Sequence, residues 1–251
     1  LRQGFDRGDV QVVEIMADAR AGLAQTHGVR VVSDAAELAS LGEIVVLAVK
    51  PQQMGDAARA IAERIGNVIV LTIAAGIRLV DLSRWLGGYR TLVRCMPNTP
   101  ALIGAGVTGV YAEPGVNDAG RRSIERILSA GGKVVWVKDE SLLDPVTAVS
   151  GSGPAYVFYF IEALEEAGIE LGLEPAVART LALETFRGAA ELAVRAAEPP
   201  STLRARVTSK GGTTERAIST FDHDKLKEAI HRGVRAANAR AGELALQFGK
   251  D

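Results

Sequence analysis

The densest set of chemistry-bearing residues is Val207-Thr208-Ser209-Lys210-Gly211-Gly212-Thr213-Thr214, which runs into a stretch of helical periodicity. Hydroxyls, two glycines and a helix N-terminus together make an anion cradle. The first N–H groups of a helix have no acceptor within it, and the helix dipole favours negative charge there. A small carboxylate fits such a cradle, held by backbone N–H groups and by Ser209 or Thr213; an inter-helix turn with threonine caps is the plainer alternative.

Four other segments read as strand or helix ends. Leu47-Ala48-Val49-Lys50-Pro51-Gln52 is an apolar run stopped by a lysine and a proline. Strands stop this way at the carboxyl edge of an open α/β sheet, where ligands bind. Ala74-Ala75-Gly76 offers small side chains that let a flat ring approach the backbone. Arg94-Cys95-Met96-Pro97-Asn98-Thr99-Pro100 brackets an Asn-Thr pair with prolines and so fixes a rigid loop. Ser150-Gly151-Ser152-Gly153-Pro154 leads a helix and offers backbone donors at its start. Taken singly, each is common structural punctuation.

The rest of the chain narrows the chemistry. His27, His223 and His231 fall outside every motif and read as surface residues. Cys95 is the one cysteine, which forbids an intramolecular disulfide and argues against a metal cluster. Basic and acidic residues number 29 and 30. That balance argues against a nucleic-acid or anionic-membrane partner, which needs a basic excess. No apolar run approaches the roughly 20 residues of a membrane span, and no signal peptide is evident at the start. A soluble, cytoplasmic protein is expected.

The elements that must position these residues fall into two textures. In the first half, short apolar runs alternate with helical stretches. Strands are expected at Val10–Ile15, Val29–Val32, Ile44–Val49, Val68–Ile73, Thr91–Met96, Gly106–Ala112 and Lys133–Val137. Ile44–Val49 and Val68–Ile73 read as covered on both faces. Helices are expected at Asp18–His27 (capped by Gly28), from Ser33 or Asp34 to Leu41, at Pro51–Ile65 and at Arg121–Ala130. Such alternation predicts a parallel, doubly wound sheet.

Beyond Asp139 strand-like runs vanish. Ala155–Gly168, Pro175–Arg195, Ser201–Val207, Thr214–Thr220 and Lys225–Phe248 carry helical periodicity. The predicted fold is therefore α/β plus all-α: a Rossmann-type domain over 1–140 and a helical domain over 141–251. Tyr156–Ile161 is an apolar block, and a helix apolar all round must be buried. In so small a domain that predicts a cover from a partner subunit, with an ordinary core helix of a monomer as the alternative.

A dinucleotide-binding sheet normally opens with a strand, a G-x-G-x-x-G turn and a helix holding the pyrophosphate. That motif is absent, and Leu1–Phe5 reads as a helix end and turn. The sequence thus reads as starting roughly 20 residues into the fold, with Val10–Ile15 as its second strand. Glu14 then stands where an acid bonds the ribose hydroxyls and repels a 2′-phosphate, which favours NADH; Arg20 nearby tempers that preference. A merely solvated Glu14 is the plainer reading.

Together LAVKPQ, AAG, RCMPNTPALIGAG, AVSGSGPAYVFYFIEAL and VTSKGGTTERAI resemble the pyrroline-5-carboxylate reductase family, in order and at family-like intervals across essentially the whole chain. The resemblance implies an N-terminal Rossmann domain and a C-terminal helical dimerisation domain. Helices of two subunits would interleave, and rings of five dimers occur in some members. It implies reduction of L-1-pyrroline-5-carboxylate to L-proline by NADH or NADPH, the last step of proline biosynthesis. By position, Ser209, Gly211, Gly212, Thr213 and Thr214 would hold the substrate carboxylate, with the Thr214 hydroxyl against the ring nitrogen. Ala48, Val49, Lys50, Pro51, Ala74, Ala75, Gly76, Pro97, Asn98, Thr99, Ser152 and Gly153 would line the cofactor. Glu198 would approach the substrate edge from the neighbouring subunit. Lys210 departs from the proline of many members, with little consequence if its side chain faces solvent.

Two other readings compete. A 3-hydroxy acid or 6-phosphogluconate-type dehydrogenase shares the layout but uses a lysine in a helical motif, and Lys210 lies in a loop. A helical dimerisation scaffold with a vestigial cofactor domain would explain the missing glycine turn.

Overall fold

The computed structural model describes residues 4–249, so the reading of Leu1–Phe5 lies partly outside the described residues. The residues up to Gly151, with those from Ala237 onward, form one compact unit; Ser152–Ala236 form a second. The fold is a Rossmann-type α/β unit and a helical unit.

In the first unit, β1 (Gln11–Val13) and β2 (Arg30–Val32) pair in parallel around the connecting helix α1 (Ala17–His27). Gly28 ends α1 with φ 64°, the left-handed cap expected of it. The helix expected through Leu41 is a single 3-10 turn, Ala35–Glu37. Asp34 and Glu37 cap each other's backbone within that turn, and the chain leaves extended at Leu38.

The other strands form a five-stranded sheet in the order β3 (Ile44–Leu47), β4 (Ile69–Thr72), β5 (Leu92–Met96), β6 (Gly106–Ala112), β7 (Gly132–Trp136). Two expectations need correction. The sheet is not wholly parallel, because β5 and β6 are antiparallel, with Cys95 opposite Val110. Only residues 97–105 join them, too few for the crossover of a dozen or more residues that a parallel return requires. Nor is Ile44–Val49 covered on both faces. β3 is an edge strand whose one hydrogen-bonded neighbour is β4, and Val46 is 44% exposed. Among the described residues β1 and β2 are not hydrogen-bonded to this sheet, so the Rossmann-type sheet comes in two pieces.

Alternation along β4 and β5 builds a core on each face. Val70 and Leu92 pack with Met54, Ala58 and Ile61 of α2 (Met54–Ile61) and with Leu79 and Leu82 of α3 (Leu79–Trp85). Leu71 and Val93 pack on the other side with Val110 and with Ile124 of α4 (Asp118–Leu128). Each large aliphatic side chain buried this way contributes about 1.5–3 kcal/mol. Asn117 caps α4 by accepting the Gly120 N–H at 2.9 Å. After β7 come α5 (Leu143–Val146) and a π-helical turn, Thr147–Gly151.

The second unit holds α6 (Gly153–Glu170), α7 (Pro175–Arg195), α8 (Pro200–Arg206), α9 (Thr213–His223) and the start of α10 (Leu226–Phe248). Prolines open α6, α7 and α8 in their first turns, where a missing N–H costs nothing. α6 and α7 meet through small residues: a Cβ on Gly168 would lie 3.1 Å from that of Ala178. The apolar block of α6 stays open to solvent in the single chain, with Phe158 64% and Tyr159 69% exposed. Among the described residues no helix is long and apolar enough to cross a membrane.

Candidate functional site: a sheet edge and a helix-capping loop

β3, β4 and β5 run parallel, so the segments that follow them leave the same edge of the sheet. After β3, Ala48, Val49 and Lys50 are exposed. The Lys50 carbonyl accepts the Gln53 N–H at 2.9 Å, so Pro51 opens a tight turn into α2. After β4, the buried Thr72 hydroxyl accepts the Ala74 N–H at 3.2 Å, and Ala75 is half-buried. Gly76 has φ 76°, and a Cβ there would lie 2.9 Å from Phe248 Cδ2, so no larger residue fits without displacing the end of α10. After β5, Pro97 leads to Asn98, whose Oδ1 accepts the Val107 N–H at 2.9 Å and ties the loop to the start of β6. Thr99 is exposed, and Pro100 sits in the 3-10 turn Thr99–Ile103. The edge combines small residues and prolines with the polar Lys50, Asn98 and Thr99.

Glu14 directly follows β1. Its Oε1 accepts the Met16 N–H at 2.8 Å, while Oε2 has no partner among the described residues. Arg20 Nη1 donates to the carbonyls of Glu14 and Ile15, at 2.9 and 2.7 Å. Buried Cys95 lies behind this edge, and burial pushes its thiol far above the ordinary range, so it stays neutral.

The expectation for Ser150–Pro154 needs adjustment. Helix α6 does not start from an open turn: the π-helical turn leads straight to Ser152, whose carbonyl accepts the Ala155 N–H at 3.0 Å. One of the donors expected at this helix start is therefore used internally.

In the second unit, the cradle segment folds as a turn closed by the Gly212 N–H on the Ser209 carbonyl at 3.0 Å. Gly211 has φ 75°, the left-handed geometry that glycine permits. Ser209 Oγ packs against Gly212, where a Cβ would lie only 2.6 Å away. The Gly211 N–H is taken by Glu215 Oε2 at 2.6 Å, so this donor too is satisfied within the chain. Among the described residues the N–H groups of Thr213, Thr214 and Glu215, in the first turn of α9, have no acceptor. Thr214 is half-buried and Ser209 exposed. Glu198 forms a two-pronged ion pair with Arg206 of α8, so its charge is matched within its own chain.

One group went unread in the sequence. Arg94, 4% exposed, lies among Glu140, Asp144 and Arg78. Its members are scattered along the chain, and the only local signal was an arginine inside an otherwise apolar strand.

A Rossmann-type sheet unit followed by a helical unit, with the family matches below, defines the class: an NAD(P)H-dependent oxidoreductase. Residues 140–244 match the family described as pyrroline-5-carboxylate reductase dimerisation, and residues 1–76 that described as NADP oxidoreductase coenzyme F420-dependent. The chain is 41% identical over 249 residues to the pyrroline-5-carboxylate reductase of Pseudomonas aeruginosa, covering 99% of this chain and 91% of that one. It therefore belongs to the pyrroline-5-carboxylate reductase family.

Among solved structures, a pyrroline-5-carboxylate reductase from Coxiella burnetii matches with TM-score 0.92 and 36% identity over 97% of this chain and 91% of that one. The pyrroline carboxylate reductase of Plasmodium falciparum, solved with NADP bound, matches with TM-score 0.83 and 25% identity over 96% and 100%. These relatives do not favour a dimerisation scaffold. The dimerisation segment supports self-association of the chain.

Proposed function

We propose that the chain reduces L-1-pyrroline-5-carboxylate to L-proline with NAD(P)H, the last step of proline biosynthesis. The observation that carries this reading is the loop Ser209–Thr214, where three N–H groups opening α9 have no acceptor among the described residues and could receive a small carboxylate. It sits in a chain 41% identical to a reductase of that name. A protonated cyclic imine is already electrophilic, so orientation does most of the catalytic work.

When bound, NAD(P)H supplies the hydride. Ala48–Pro51, Ala74–Gly76, Pro97–Thr99, Ser152 and Gly153 would line it. The N–H groups of Thr213 and Thr214, with the Ser209 hydroxyl, receive the substrate carboxylate; Gly211 and Gly212 give the turn its shape. The Thr214 hydroxyl, or a water it holds, orients or supplies the proton at the ring nitrogen. Glu198 stands at the substrate edge of a second copy, its charge offset by Arg206.

Glu14 leaves one carboxylate oxygen for ribose hydroxyls while Arg20 is engaged by backbone carbonyls, which supports a preference for NADH. We assign cofactor binding to residues 1–140 and substrate binding and self-association to 141–251. The assembly is a dimer or a pentamer of dimers, working in the cytoplasm. The test is turnover of pyrroline-5-carboxylate by the full chain with NADH and NADPH separately. Faster turnover with NADH supports both the reaction and the role of Glu14. Faster turnover with NADPH keeps the reaction and overturns that role, and no turnover with either overturns the reaction.

A further inference from the structure

Burying a charge is unfavourable unless it is paired and hydrogen-bonded, and an apolar pair of similar volume often stabilises a fold as well or better. Arg94 in the middle strand β5 therefore asks for a reason. Its Nη1 lies 3.2 Å from Glu140 Oε1 and its Nη2 3.4 Å from Asp144 Oδ1. The same Glu140 oxygen accepts the Leu79 N–H at 2.8 Å, and Asp144 Oδ2 accepts from Arg78 Nη2 at 2.9 Å. Arg78 and Leu79 follow the Ala74–Gly76 loop after Ile77, and Arg94 stands three residues before Pro97. Asp139 caps the turn that presents Glu140 by accepting the Ser141 N–H at 2.8 Å. α5, which carries Asp144, passes into the π-helical turn, where a Cβ on Gly151 would lie 2.6 Å from Met96 Cε. Two stretches bearing expected cofactor contacts, the loops after β4 and β5, are thus tied through the same two carboxylates, Glu140 and Asp144.

We propose that Arg94, with Glu140 and Asp144, is a positioning group for hydride transfer, a buried clamp that fixes the loops after β4 and β5 in one relation. The inference rests on the proposed reaction. Directional hydrogen bonds to two carboxylates set a register that interchangeable apolar contacts would not. A lysine at position 94 carries the charge but not the planar fork that reaches both carboxylates.

The test compares the parent with Arg94→Lys, and with Glu140→Gln should the lysine variant not fold; Arg90→Gln, which breaks the rim pair with Glu113, is the control. Hydrogen exchange of the cofactor-free chain is expected to rise at residues 74–79 and 97–105 and to stay unchanged in α4. With pyrroline-5-carboxylate, kcat per folded molecule is expected to fall about tenfold or more while KM moves less than about threefold. Arg90→Gln changes neither. Unchanged exchange in those two segments overturns the clamp. Raised exchange with kcat within about twofold of the parent overturns its role in the reaction. Raised exchange in the variant, with a parent that does not turn over pyrroline-5-carboxylate, supports the clamp and overturns the proposed reaction instead.

Discussion

Thr214 carries the most specific burden of any single residue. It stands at the second position of α9, half-buried, and its backbone N–H and its hydroxyl have separate tasks in the proposed reaction. Replacement by valine separates them, because the branched shape and the N–H stay while the hydroxyl goes. Thr214→Val is expected to lower kcat by on the order of a hundredfold and to leave KM for pyrroline-5-carboxylate within about threefold. Steady-state kinetics on the variant checks this, and unchanged turnover would remove Thr214 from the chemistry. Its neighbours have less latitude of conformation than of chemistry. Gly211 is fixed by its φ of 75° and Gly212 by the side chain of Ser209 against it, whereas exposed Lys210 lies in the same turn with no side-chain partner among the described residues.

At the scale of elements, much of the fold was legible because apolar runs and helical periodicity are local signals. Val68–Ile73 reads directly as β4, and Pro175–Arg195 is α7 to the residue. The antiparallel pairing of β5 and β6 was not legible, because an apolar run carries no direction and only the short 97–105 connection betrays it. Helices α3 and α5 escaped notice because each spans two turns or fewer and lacks a side-chain cap at its start. The Arg94 cluster was invisible for another reason: residues 78, 94, 140 and 144 meet only once the sheet has formed. The site loops were readable as composition, but their internal hydrogen bonds, such as Gly211 to Glu215, were not. The exposed face of α6 supports a further expectation. A single chain leaving Val157, Phe158 and Tyr159 in water forgoes burial that a second copy provides. Phe158→Glu is expected to shift the protein to its monomeric mass in light scattering at micromolar concentration; an unchanged oligomer mass would move the interface elsewhere.

For the whole molecule, the proposed reaction is reduction of pyrroline-5-carboxylate with NAD(P)H. The sheet unit's strand ends carry small residues and prolines, and the first turn of α9 in the helical unit leaves N–H groups without an acceptor among the described residues. The most direct measurement follows the reducing atom itself. NADH or NADPH deuterated at the transferable position of the nicotinamide is incubated with pyrroline-5-carboxylate and the full chain, and the product is examined by NMR. The account predicts L-proline carrying one deuterium at C5, the former imine carbon. Proline without that deuterium, or no proline at all, contradicts it.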